Sequence, residues 1–176
     1  MTDTLLISQT DLQQVKAIPA SVTYARISPY IIQAQWFDIR DQLGDVFFTD
    51  LVANYESEPY ATLLNGGSYI DSNSNTISFT GLNYAICYYA YAKFILNQQI
   101  SVTSFGVVQK TNEFSQVLDT KSLNLQANQN VMFGDAIMND VKKYIENNLD
   151  LFPLWSVQSC EQKRSSVNGF TLISKV

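Results

Sequence analysis

The sequence predicts a mainly α-helical protein, a bundle of about four to five helices around a central apolar helix, with a small β-hairpin and extended loop and terminal arms. Three observations predict it. The stretch Gly81–Gln98, GLNYAICYYAYAKFILNQ, carries only Asn83 and Lys93 as strongly polar residues between Leu82 and Leu96. Two of its rows at helical spacing, Leu82, Ile86, Tyr89 and Ala85, Tyr88, Ala92, Ile95, are both apolar, so neighbours must cover it on most sides. From Leu123 to Leu149 apolar or small residues recur every three or four positions, the mark of a long amphipathic helix. Between these, Tyr69 and the pair Ile77, Phe79 flank the polar loop Ser72–Asn75, which reads as a hairpin.

The elements follow in order. Residues 1–27 read as an N-terminal arm: a short apolar run at Thr4–Ser8, a helical turn capped by Thr10 or Asp11, and an extended piece from Ile18 to Ala25. Ser28-Pro29 reads as a helix start, with a capping side chain before a proline at the first helical position. Ile32, Trp36, Ile39 and Leu43 follow at helical spacing, and Gly44 ends the helix. Asp45 caps the next, which places Phe47, Leu51 and Tyr55 on one face. Pro59 opens a short third helix, closed by Gly66-Gly67. The hairpin occupies 68–79, and Thr80 caps the central helix. At under 20 apolar residues, and with Lys93 inside, that helix is too short to span a membrane.

Residues 98–118 show no helical period. TSFGVVQK within them reads as extended, with Gly106 as a bulge or close-approach point. Asp119 or Thr120 then starts the long helix, and Gly134 within it marks a crossing point between helices. The helical domain runs over 28–149. Residues 150–176 read as a docking tail, because Leu151, Phe152, Leu154 and Trp155 are too apolar to stand free: they fold back or dock on a partner.

Composition narrows the function. The chain has 176 residues, 46% hydrophobic and only 15% charged, with a net charge of −5. A weakly charged surface favours self-association, and an acidic chain lacks the basic patch that nucleic acid requires. The charge is uneven: from Ile27 to Ala92 seven acids face Arg40 alone, while Lys163, Arg164 and Lys175 stand against Glu161 near the end. Cys87 and Cys160 make no disulfide framework, and the opening residues lack a signal-peptide pattern, so the expectation is a protein folded in a cytoplasm.

Catalytic chemistry is sparse. There is no histidine, which removes the commonest general base and metal ligand. Zinc spacing, a phosphate-binding glycine loop and a nucleophile elbow are all missing. Asp38, Asp41 and Asp45 form the best acidic constellation, but on a helix near Arg40 they read as solvated charges. The expectation is therefore a non-enzyme with no cofactor and no metal.

Four segments in order resemble a known family: ISPYIIQAQWFDIRDQLGDVFFTDL, LLNGGSY, GLNYAICYYAYAKFI and SFGVVQKTNEFS, spanning Ile27 to Ser115. The chain is similar to the head–tail connector, or head-completion, proteins of tailed phages, especially the ring proteins of crAss-like phages. That resemblance implies a structural virion protein at the head–tail junction, made in the host cytoplasm. It implies a closed ring of about twelve copies at the portal vertex, with the portal protein and a tail or second ring protein as partners. DNA would pass through without specific binding, and no membrane is involved. By the same analogy, Phe105, Gly106, Val107, Val108, Gln109 and Lys110, with Leu151, Phe152, Leu154 and Trp155, are the interface candidates. The competing expectation is a cytoplasmic helical adaptor or inhibitor that grips a single protein through the Leu151–Trp155 patch.

Overall fold

The computed structural model describes residues 4–19, 21–97, 100–103, 106–109 and 119–155, with backbone alone for 100–103 and 106–109. The protein is mainly α-helical with a small antiparallel hairpin, as the sequence predicts. Its centre is the apolar stretch: helix α6, Leu82–Asn97, is buried along Leu82, Ala85, Ile86, Tyr89, Ala90 and Phe94. Helix α7, Thr120–Asn147, packs along it and begins at the N-cap Asp119, whose Oδ1 accepts the Ser122 N–H. Its buried positions Ala127, Gly134, Met138, Val141 and Ile145 keep the expected spacing.

The N-terminal segment belongs to the domain and is not an arm. Helix α1, Gln9–Val15, starts at Ser8 in a capping box with Asp11 and buries Leu12 against α6. Leu6 and Ile7 are also buried. The side chain of Gln35, itself buried, accepts the Leu6 N–H at 2.9 Å and donates to the Thr4 carbonyl at 3.0 Å. One amide thereby satisfies two backbone groups that have no sheet to pair in.

Helix α2, Tyr24–Gln33, begins after Thr23 and not at Ser28, so Pro29 lies inside it. A proline beyond the first turn costs a helical hydrogen bond. Complete burial of Ile27 and Ile31 on either side offsets that loss. The helix continues through a π-helical segment, Ala34–Ile39, into α3, Arg40–Leu43. The wider π turn re-phases the side chains. Ile31, Ala34, Gln35, Ile39 and Leu43 therefore face the core, whereas Trp36, expected among them, is 38% exposed.

Gly44, at φ +82°, joins α3 to α4, Asp45–Asn54, and takes the capping position expected of Asp45. Helix α5, Tyr60–Asn65, follows the cis Glu58–Pro59 peptide. Strands β1, Gly67–Ile70, and β2, Thr76–Phe79, pair with Gly67 opposite Phe79 and Ile70 opposite Thr76. Asp71 organises the intervening turn through the N–H groups of Asn73 and Asn75. Gly66 and Gly81, at φ +86° and +87°, close the base of this hairpin backbone against backbone: a Cβ on Gly66 would sit 2.6 Å from the Phe79 carbonyl oxygen. Gly81 therefore stands where Thr80 was expected, next to the first residue of α6.

A second hairpin lies where a single extended run was expected. Strands β3, Ile100–Thr103, and β4, Gly106–Gln109, pair antiparallel with Thr103 opposite Gly106. Gly106 is a ladder position opposite Thr103, not a bulge.

Candidate functional site

The ten residues singled out from the sequence separate sharply. Phe105 and Lys110 lie outside the described residues. Gly106, Val107, Val108 and Gln109 form β4, whose ladder partner is β3. Both hairpins are two-stranded, and no third strand joins either of them among the described residues. Among the described residues their outer edges meet no further strand, and such an edge is a ready template for one.

Phe152 and Trp155 are not a docking patch: they complete the domain's core. Phe152 is fully buried, with its ring centroid 5.9 Å from Phe47, 5.8 Å from Tyr60 and 5.7 Å from Tyr144. Trp155 lies edge-on to Phe47 at 5.3 Å. Tyr144 stacks on Phe79 at 4.3 Å, which ties this cluster to the first hairpin. The physical reason is the aromatic payload, since each such ring buries on the order of 150–250 Å². Leu151 and Leu154 point outward, 51% and 43% exposed.

Leu154 faces a groove that the sequence reading missed. Val46, Thr49 and Ala53, on the outer face of α4, line it with Leu154, and Asp45 and Asp50 form its acidic rim. Its volume is about 450 Å³. The spacing i, i+3, i+7 was legible in the sequence but overshadowed by Phe47, Phe48 and Leu51 on the buried face of the same helix. A second apolar strip lies on α7, where Leu125, Met132 and Phe133 are exposed and Phe133 touches Tyr88.

Two of the three acidic residues of the α3 region, Asp38 and Asp45, are already engaged. Asp45 pairs with Arg40 at 2.8 Å, and the hydrogen bond to that guanidinium holds its carboxyl below the ordinary range. Asp38 pairs with Lys93 at 2.9 Å. Among the described residues, no three acidic, cysteine or histidine side chains converge as a metal site would require. A small cavity of about 170 Å³ reaches Cys87, bordered by Asp11, Asn65, Asn83 and Tyr84. Burial pushes the Cys87 thiol up to about 12, so it stays protonated and is a poor nucleophile.

A polar chain crosses the helix layer at the opposite end of the scale of sequence separation. Lys142 Nζ donates to Gln42 Oε1 at 3.0 Å, Gln42 Nε2 donates to the Tyr89 hydroxyl at 2.8 Å, and that hydroxyl donates to Asp135 Oδ1 at 2.6 Å. It fixes α3, α6 and α7 in one register, and burial raises the Tyr89 hydroxyl far above its usual range. No described helix is long and apolar enough to cross a membrane.

A protein-family model, described as a family of unknown function (DUF6712), matches residues 39–165. No curated protein and no solved structure matches the chain.

Proposed function

This chain belongs to the family of unknown function DUF6712, and we propose that it serves as a structural virion protein, forming a ring at the portal vertex that joins a phage head to its tail and extends the DNA channel. The observation that carries this reading is the pair of two-stranded hairpins on a helical body, whose outer edges meet no further strand among the described residues. Isolated hairpins are marginal in water and lean on helices or on a neighbour. In a closed ring each copy offers one surface to a different surface of the next, so open edges and exposed apolar strips find partners without unlimited growth.

Three further features support it. The four segments that resemble head–tail connectors span much of the helical domain. The exposed Leu125, Met132 and Phe133 on α7 supply a second contact surface for a neighbouring copy or for the portal and tail proteins. The acidic body suits a channel that lets DNA slide without gripping it. The single-partner adaptor reading loses ground, because half of the patch it relied on, Phe152 and Trp155, is buried in the chain's own core.

The test is electron cryo-microscopy of the portal vertex in purified virions, with mass spectrometry of the same particles. The expected result is a symmetric ring of this chain between portal and tail, with β3–β4 at a subunit or portal contact. Virions that lack the chain would overturn the reading.

A further inference from the structure

The outer face of α4 and the exposed strip of α7 match in length, character and charge. Val46, Thr49, Ala53 and Leu154 line the α4 groove, and Val46 is 68% exposed. On α7, Leu125, Met132 and Phe133 stand at i, i+7 and i+8, with Met132 also 68% exposed. With such helical spacing one helix lays apolar anchors into the groove of another molecule. At 1.5 Å per residue the anchors span about 12 Å, and the face from Val46 to Ala53 about 10 Å.

Charge brackets the two surfaces with opposite signs. Lys121 lies one turn before Leu125, on the same face of α7. Toward the other end of the strip, Lys16 Nζ sits 3.7 Å from the centroid of the Tyr88 ring, and that ring touches Phe133. Asp41 comes just before α4 and Glu56 just after it, and both are exposed. Glu56 accepts the Tyr55 hydroxyl, a neutral partner that leaves its charge in place. Among the described residues, none of these four charges has an opposite charge within ion-pair distance.

We propose that the α7 strip of one copy docks in the α4 groove of a second copy. The inference rests on the ring reading for its partner, and it names the two faces that meet. Because the faces differ, the contact is heterologous, the kind from which rings close. The test mixes two full-length variants, Thr49→Cys and Met132→Cys, under mild oxidation. Both carry Cys160→Ser, and Cys87 is 1% exposed, so the new thiols are the accessible ones among the described residues. The expected product is a disulfide between position 49 of one chain and position 132 of the other, in several-fold excess over either variant linked to its own kind. Met132→Asp, at an exposed position, should weaken self-association in sedimentation about tenfold, the effect of losing one central apolar anchor. Oligomers that form without the mixed disulfide, or undiminished by Met132→Asp, would overturn this contact and leave the ring reading standing. A chain that stays monomeric at its highest soluble concentration, with no mixed disulfide, would also overturn it. The ring reading itself falls only with virions that lack the chain.

Discussion

Gly134 of α7 lies directly against the ring of Tyr89 on α6: a Cβ at Gly134 would come within 2.9 Å of Tyr89 Cε1 and Cζ. The ring cannot step aside freely, because its hydroxyl is held between Gln42 and Asp135. Close approach of α6 and α7 therefore depends on one missing methyl group and on hydrogen bonds that lock the side chain filling its place.

Replacing Gly134 by alanine tests that dependence. Helix propensity alone favours alanine by about 1 kcal/mol. Overpacking a tight contact costs about 1–3 kcal/mol, and here relief requires breaking two hydrogen bonds. Gly134→Ala is expected to lower the urea midpoint, and Gly134→Leu to lower it much further. A higher midpoint for the alanine variant would show that the helices part without cost.

Alkaline pH should weaken the fold. Burial, reinforced by the bonds to Asp135 and Asp50, raises the hydroxyls of Tyr89 and Tyr60 above the ordinary value near 10; burial also raises Tyr144. The sign follows from linkage: the unfolded chain releases these protons first, so their contribution is complete below about pH 10 and is lost as pH rises beyond it. The expected result is a urea midpoint that falls above pH 10. In Tyr89→Phe the midpoint starts lower at neutral pH, because the half-buried Gln42 and Asp135 lose their bonds to the hydroxyl, but falls less steeply. An unchanged slope in that variant would remove Tyr89 from the account.

The central helix, the long helix and the first hairpin were legible because their signals are local: apolar rows around α6, a Gly134 gap in α7, and a polar turn between Tyr69 and Phe79. The start of α2 was not, because Ser28-Pro29 is a strong local signal overridden by the burial of Ile27 and Ile31. The π segment was also hidden, so Trp36 was assigned to the core in place of Gln35. Pairings at a distance left no trace in the sequence: Tyr89 meets Gln42 and Asp135 at separations of 47 and 46 residues. At the candidate interface, the apolar LFPLW run was visible, but its division into buried Phe152 and Trp155 and exposed Leu151 and Leu154 was not, since a turn with no fixed period sets it.

Gln35 should anchor the N-terminal segment. Its amide bonds both Leu6 N–H and Thr4 C=O from a buried position. Gln35→Leu removes both bonds and leaves the Leu6 donor unsatisfied, at a cost of about 1–3 kcal/mol. Faster hydrogen exchange is expected at Leu6 and Ile7, with little change in the middle of α6. Unaltered exchange at those two amides would mean that the packing of Leu12 suffices.

Phe152 and Leu154, two residues apart, should behave oppositely. Phe152 is fully buried among Phe47, Tyr60 and Tyr144, so Phe152→Ala opens a cavity and is expected to cost about 3–5 kcal/mol. Leu154 is an exposed wall of the groove, so Leu154→Ala should change stability by no more than about 0.5 kcal/mol. Denaturant titration of both variants separates the roles: equal, small losses would place Phe152 outside the core, and a large loss at Leu154 would make the groove wall structural.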